Sequence, residues 1–241
     1  MGLKRVPWDR FVLRMETQMH YYPIFLDIEQ RKVVVVGGGS VAERKVRNLL
    51  EYGAEVSVIA QKLTSSLRQL VEKGTVSVLG RKFKASHLDG AFLAVAATTD
   101  ALLNRKVAEE ARKRGVLVNA VDQPEECDFI VPSIFRRGDL LIAISTSGKS
   151  PALSKKIRVG LEKEFGQEYE SFLVLMGSLR KELLKQQMPQ DKRRRMFQRL
   201  VDSEIPEKIK KGDWKGISAI LTGILGRQIS KADVLNYLEI G

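Results

Sequence analysis

Cysteine is almost missing from this sequence: Cys127 stands alone among 241 residues. No disulfide can close within the chain, which fits a reducing compartment, and the cytoplasm is the expected one. Histidine is nearly as scarce. His20 and His87 lie far apart, and with one thiol they do not make a zinc ligand set, so no resident metal is expected. No apolar run approaches the ~20 residues that a membrane-spanning helix needs. The first residues carry Arg5, Arg10 and Arg14 but no signal-peptide core, because Phe11-Val12-Leu13 is too short. Residues 1–20 are therefore expected to form a disordered tail, with Met19 as an alternative start. Internal repeats and low-complexity tracts are also absent.

Acidic residues are outnumbered, 29 against 41 basic ones, for a net charge of +12. The excess leans toward the C-terminal third and includes Lys192, Arg193, Arg194 and Arg195. Such a balance favours an anionic partner: nucleic acid, a membrane surface or a polycarboxylate substrate. A basic run on a helix is also an ordinary solvated face. No aromatic stacking platform or recognition-helix pattern accompanies it, so neither nucleic acid nor membrane is expected as a partner.

What is present is most concentrated between Lys32 and Lys45. Four consecutive valines, Val33 to Val36, suit a parallel strand covered on both faces. Gly37, Gly39 and Ala42 then fill the spacing G-x-G-x-x-G/A of a dinucleotide-binding turn. Gly37 makes the tight turn, Gly39 lets a pyrophosphate approach, and Ala42 allows helix to pack on strand. Ala42, Val46, Leu49 and Leu50 form one helical face. The unpaired amides of the first helical turn face the phosphates.

Strand patterns follow at residues 56–59, 76–79, 92–96 and 116–118, with an amphipathic helix carrying Leu103, Val107 and Ala111 between the last two. This alternation means an α/β fold with a Rossmann-type parallel sheet. Two further apolar runs, residues 129–135 and 140–144, joined by residues 136–139, read as a β-hairpin. It either extends the first sheet or pairs with the same hairpin of a second subunit, and the second is favoured. Ser150 is a good N-cap and Pro151 a good first helical residue. Leu153, Ile157, Leu161 and Phe165 continue one stripe, and Phe172, Leu175, Met176, Leu179 and Leu183 another. Further helices are expected at residues 192–201, 214–225 and 231–238. The expected layout is a nucleotide-binding domain at residues 21–131, a central hairpin dimerisation region at 132–160 and a C-terminal helical domain at 161–241.

A nicotinamide dinucleotide usually leaves an acidic residue after the second strand, and none follows Ile59. Gln61 can still hydrogen-bond a ribose, and Lys62 would tolerate a 2′-phosphate, so NAD and NADP both stay open on chemistry. The loop carrying Thr98 should approach the nicotinamide half, while Asp100 also reads as the N-cap of the next helix. Asp122 lies just past the fifth strand, at the carboxyl edge where the cofactor's reactive ring belongs. A carboxylate there can take a proton as hydride leaves a substrate; capping a turn before Pro124 is the alternative. Asp128 reads as structural, and Cys127 as a small, partly buried residue. Thr146, Ser147, Gly148, Lys149 and Ser150 offer hydroxyls, amides and a cation at a helix start, read as a clamp for substrate carboxylates or as a simple helix cap. This is not a Walker A loop, because Ala143 stands where its first glycine would be.

Several segments in order resemble one family: Tyr22-Pro23-Ile24-Phe25-Leu26, the turn from Gly37 to Lys45, Asn119-Ala120-Val121-Asp122, Asp128-Phe129-Ile130-Val131-Pro132-Ser133, and Ser145 to Pro151. The chain resembles the precorrin-2 dehydrogenases, the siroheme-synthase N-terminal type, over residues 20–165. The resemblance implies NAD-dependent oxidation of precorrin-2 to sirohydrochlorin, which some members follow with iron insertion to give siroheme. It implies that Asp122 is the catalytic aspartate, and that Ser40, Val41, Gln61 and Lys62 contact the cofactor. Thr146, Ser147 and Lys149 fall in the substrate-side loop, and a homodimer built through the hairpin region is expected. Thr146 stands where some relatives have serine, which puts serine-specific chemistry there in doubt. A non-catalytic NAD-binding regulator with a nucleic-acid-binding tail is the alternative of another class, resting on residues 192–195 alone.

Overall fold

The structure is a computed structural model that describes residues 21–238; the expected tail at residues 1–20 lies outside the described residues. Five strands, β1 (Lys32–Val36), β2 (Glu55–Ile59), β3 (Ser77–Gly80), β4 (Leu93–Ala96) and β5 (Leu117–Ala120), form one parallel sheet ordered β3-β2-β1-β4-β5. The valine run makes β1 the middle strand because both of its faces must be covered. Val33 and Val35 pack with Ala42, Val46, Val58 and Leu67 on one face. Val34 and Val36 pack with Ala94, Val107, Ala111 and Val118 on the other. Each fully buried side chain of this size contributes roughly 1.5–3 kcal/mol, so a one-residue slip of β1 is strongly opposed.

Helix α1 (Ser40–Glu51) follows β1 at once and buries Ala42 and Val46. Helix α2 (Ser65–Glu72) is too short for its periodicity to stand out in the sequence; its start is set by Thr64, whose hydroxyl accepts the Leu67 N–H at 3.2 Å. Helix α3 (Ala101–Lys113) begins where the Asp100 carboxylate accepts the N–H groups of Leu102 and Leu103 at 3.0 and 3.1 Å. Val107 and Ala111 of the expected stripe are buried. Strand β5 runs two residues past the expected 116–118, through Asn119 and Ala120. A buried asparagine interrupts the apolar pattern there but not the strand, because its amide is hydrogen-bonded.

Contacts divide the chain between Val131 and Pro132 into two compact units. In the second unit, β6 (Ser133–Arg137) and β7 (Leu140–Ile144) form an antiparallel hairpin whose turn is Gly138 and Asp139. The first strand of the hairpin starts later than the expected residue 129. Pro132 has no N–H to give a ladder, and the Asp128 N–H is already donated to the Val118 carbonyl at 2.9 Å. The hairpin is a separate two-stranded sheet and does not extend the larger one.

Six helices follow among the described residues: α4 (Pro151–Glu164), α5 (Glu168–Lys185), α6 (Gln190–Val201), α7 (Ile205–Lys211), α8 (Trp214–Leu225) and α9 (Lys231–Tyr237). Of the expected stripe along α4, Phe165 just past its end packs with its ring centroid 4.9 Å from that of Tyr169, while Leu153 and Ile157 remain 47% and 41% exposed. The bundle core gathers Phe172, Leu175, Leu179, Leu183, Leu200, Leu221 and Ile229. Helix α7 was not expected; it is brief, starts with Pro206 in its first turn and stops at Gly212 in the left-handed region (φ 66°). Among the described residues, no helix is long and apolar enough to cross a membrane.

Candidate functional site

The glycine turn after β1 is dictated by space. Gly37 has φ 134°, and a Cβ there would stand 2.3 Å from the Ala97 carbonyl oxygen. A Cβ on Gly38 would stand 2.1 Å from the Lys62 carbonyl oxygen. The fingerprint spacing leaves position 38 free, so this second requirement was not legible in the motif; a third consecutive glycine was the only signal. Beside Gly39 the space is open. Gly39 also starts α1, its carbonyl accepting the Glu43 N–H at 2.9 Å. Thr64 ties the neighbouring loop to the turn, donating its N–H to the Gly38 carbonyl at 3.0 Å and its hydroxyl to Glu43 Oε2 at 2.7 Å. The Thr64 hydroxyl, then Arg47, hold the Glu43 carboxyl below its ordinary pKa.

Next to that turn is a cavity of about 310 Å³ at the carboxyl ends of β1, β4 and β5. Gly39, Ser40 and Val41 line one side, Ala97, Thr98, Thr99 and Asn104 another, and Val121, Asp122 and Gln123 a third. Strand order reverses between β1 and β4, where ligands of open α/β sheets bind. Gln61 and Lys62 are exposed on the loop after β2 and are not among the cavity's lining residues.

Asn104, which carries no local sequence signal, organises the β4 side. Its Oδ1 accepts both the Thr98 hydroxyl (2.7 Å) and the Thr98 N–H (3.1 Å), and its Nδ2 donates to the Thr98 carbonyl at 3.1 Å. Asp122 adopts φ 59°, a left-handed conformation that aspartate tolerates better than most residues. Its exposed carboxylate has no hydrogen-bond or ion-pair partner among the described residues. The adjacent Gln123 donates from Nε2 to the Ala101 carbonyl at 3.1 Å, while its buried Oε1 has no partner among the described residues. Asp128 has the structural role expected of it, accepting the Val118 N–H at 3.0 Å and pairing with Arg112 at 3.4 Å, although no strand begins there.

The loop at residues 146–150 belongs to the second unit. Ser147 and Gly148 have φ 50° and 78°. Much of its polarity is spent internally: Thr146 Oγ1 accepts the Ser150 N–H at 3.0 Å, and Ser150 Oγ accepts the Leu153 N–H at 3.2 Å. Ser150 is thus the expected cap of α4. Ser147 and Lys149 are exposed. In the bundle, Arg193 and Arg194 of the basic run line a groove of about 390 Å³ with Arg180, Leu184, Phe197 and Val201. Among the described residues no group of three His, Cys, Asp or Glu side chains is placed to hold a metal ion.

Comparison with known proteins agrees with this architecture. Residues 24–133 match an "NAD(P)-binding" family model, and residues 137–164 match the model described as "Sirohaem biosynthesis protein central". A siroheme synthase of Photobacterium profundum is 41% identical over 189 residues, covering 78% of this chain and 40% of that protein. Siroheme synthase 1 of Serratia proteamaculans is 50% identical over 144 residues, 60% of this chain and 30% of that protein. The chain spans less than half the length of these curated relatives. Among solved structures, one described as "SirC, precorrin-2 dehydrogenase" superposes with a TM-score of 0.70 at 26% identity, covering 86% of this chain and 100% of that one.

Proposed function

We propose that this chain, which is similar to siroheme synthases and to a solved precorrin-2 dehydrogenase, is an NAD-dependent precorrin-2 dehydrogenase, oxidising precorrin-2 to sirohydrochlorin. One observation carries the reading: a glycine turn, the hydroxyl-bearing end of β4 and an unpartnered carboxylate after β5 share a single cavity.

The turn fits a dinucleotide. Gly39 leaves open the space a side chain would fill, and the first-turn amides of α1 lack intrahelical partners. Gly37, Gly39, Ser40 and Val41 would hold the pyrophosphate, Gln61 and Lys62 the adenosine ribose, and Thr98 the nicotinamide half. When bound, NAD supplies the hydride acceptor. Asp122 takes the proton that the substrate gives up as its two electrons depart with hydride, then passes that proton to water. With no partner among the described residues, both carboxylate oxygens are available for this step. Asn104 fixes Thr98, so that side of the cavity needs no reorganisation.

In the second unit, residues 146–150 would contact substrate carboxylates, chiefly through Ser147, Lys149 and the Gly148 amide, with Thr146 and Ser150 shaping the loop. The basic excess raises the encounter rate of a polycarboxylate macrocycle. We place the protein in the cytoplasm as a homodimer, the uncovered Leu153 and Ile157 of α4 supplying apolar surface for a second copy.

Purified protein supplied with NAD and precorrin-2 is expected to form NADH and the sirohydrochlorin spectrum; neither appearing above the uncatalysed rate overturns the proposal. The name siroheme synthase carried by the relatives favours a second reading, in which the same chain also inserts iron. Siroheme formed from sirohydrochlorin and Fe²⁺ faster than without protein supports it; the background rate rejects it.

A further inference from the structure

Asp122 sits in an excursion, residues 121–128, that leaves β5 and returns along the outer side of the same strand. Its exposed position and positive φ give it little packing of its own; Arg105 and Arg112 pair with Glu126 on the outer part of the excursion, and on its inner side three further side chains that the chemistry above does not use hold it to β5 and α1. The Asn119 amide works in two directions: Nδ2 donates to the Phe129 carbonyl at 3.0 Å, and Oδ1 accepts from Lys45 Nζ at 3.1 Å. The Cys127 sulfur closes the loop from inside, accepting the Ala120 N–H at 3.2 Å and lying 3.2 and 3.3 Å from the carbonyl oxygens of Ala120 and Gln123, to which its S–H can donate. Lys45 stands on α1, the helix that starts at the glycine turn.

The choice of residue types is informative. A half-buried lysine ordinarily faces a carboxylate, but Lys45 has no acidic partner among the described residues and meets a neutral amide. An aspartate at position 119 would satisfy the ammonium and then oppose the Phe129 carbonyl, since it has no donor. The Asn119 amide both accepts from Lys45 and donates to the returning loop. Burial also pushes the Cys127 thiol pKa up, which keeps its S–H in place as a donor at neutral pH.

We propose that Lys45, Asn119 and Cys127 form a positioning brace that runs from the dinucleotide-binding helix through β5 to the Asp122 loop and fixes the carboxylate relative to the cofactor turn. The inference rests on the reading of Asp122 as proton acceptor. None of the three touches the reacting atoms; their effect is preorganisation, and a displacement of about 1 Å can cost on the order of 100-fold in rate.

The test uses Lys45→Met, which keeps the apolar stem, together with Cys127→Ala and Cys127→Ser, in the full-length protein. Lys45→Met and Cys127→Ala are expected to lower kcat by roughly tenfold while leaving the NAD dissociation constant within about twofold. Cys127→Ser, which restores an acceptor and a donor, should recover most of the rate. Hydrogen exchange, read independently of activity, should accelerate across residues 121–128 in the two broken variants and remain unchanged in β1 and α1. The double variant should lose much less than the product of the two single losses, because a released loop cannot be released twice. Wild-type kcat in both single variants, or unchanged exchange in the loop, overturns the brace. If Asp122→Ala itself turns over at the wild-type rate, the proton-acceptor reading is what fails, and the exchange data still decide whether the three residues hold the loop.

Discussion

Two turns in this molecule share a local grammar and differ in how tightly they are specified. Residues 37–41 and residues 146–150 each contain a glycine at positive φ and each lead into a helix. At the first, backbone oxygens stand where the side chains of Gly37 and Gly38 would be, and a fully buried strand feeds the turn. At the second, a Cβ on Gly148 would meet nothing, and hydroxyls within the loop complete its hydrogen bonds. Turn composition therefore does not set tolerance. What packs against the turn does: the packed turn lies beside the cavity at the strand ends, while the open one keeps exposed polar groups.

Gly38→Ala tests this contrast most severely. Its Cβ must displace the Lys62 carbonyl, and a loss of about 3 kcal/mol or more is expected in urea unfolding. A loss below about 0.5 kcal/mol would erase the distinction between the turns. Gly39→Ala should separate fold from function: the open space accepts the methyl with a small loss at the helix N-terminus, whereas NAD affinity should fall by about tenfold as the methyl enters the pyrophosphate approach. Equal losses in stability and affinity would contradict that separation. Lys149→Ala should raise the KM for precorrin-2 by roughly threefold to tenfold and flatten its dependence on salt, with NAD binding unaffected. An unchanged KM would reduce residues 146–150 to a helix cap. Ser150→Ala should cost only about 1 kcal/mol of stability, the usual value of an N-cap, measured by thermal unfolding.

What could be read from the sequence follows from the range of the interactions involved. The β1 run, its glycine turn, the Asp100 cap and the Ser150–Pro151 helix start are fixed by neighbours within a few residues, and all stand where the pattern put them. Asp122 reaches the cavity by the simple rule that strand ends face ligands. The Lys45–Asn119 contact spans 74 positions, and Asn104 does its work only because α3 folds back over the end of β4, so neither had a local signature. Cys127 read as bland because nothing nearby in sequence says that a turn will close onto its sulfur. The late start of the hairpin came from Pro132 and from backbone groups already engaged with β5. Leu153 and Ile157 of the expected stripe stay exposed because apolar periodicity specifies a face, not what covers it.

The most direct measurement is precorrin-2 turnover by Asp122→Ala alongside its NAD affinity and thermal stability. A loss of turnover of at least about 100-fold, with NAD binding and melting temperature close to wild type, is the expected result. Wild-type turnover by that variant would contradict the assignment of proton transfer to the carboxylate after β5.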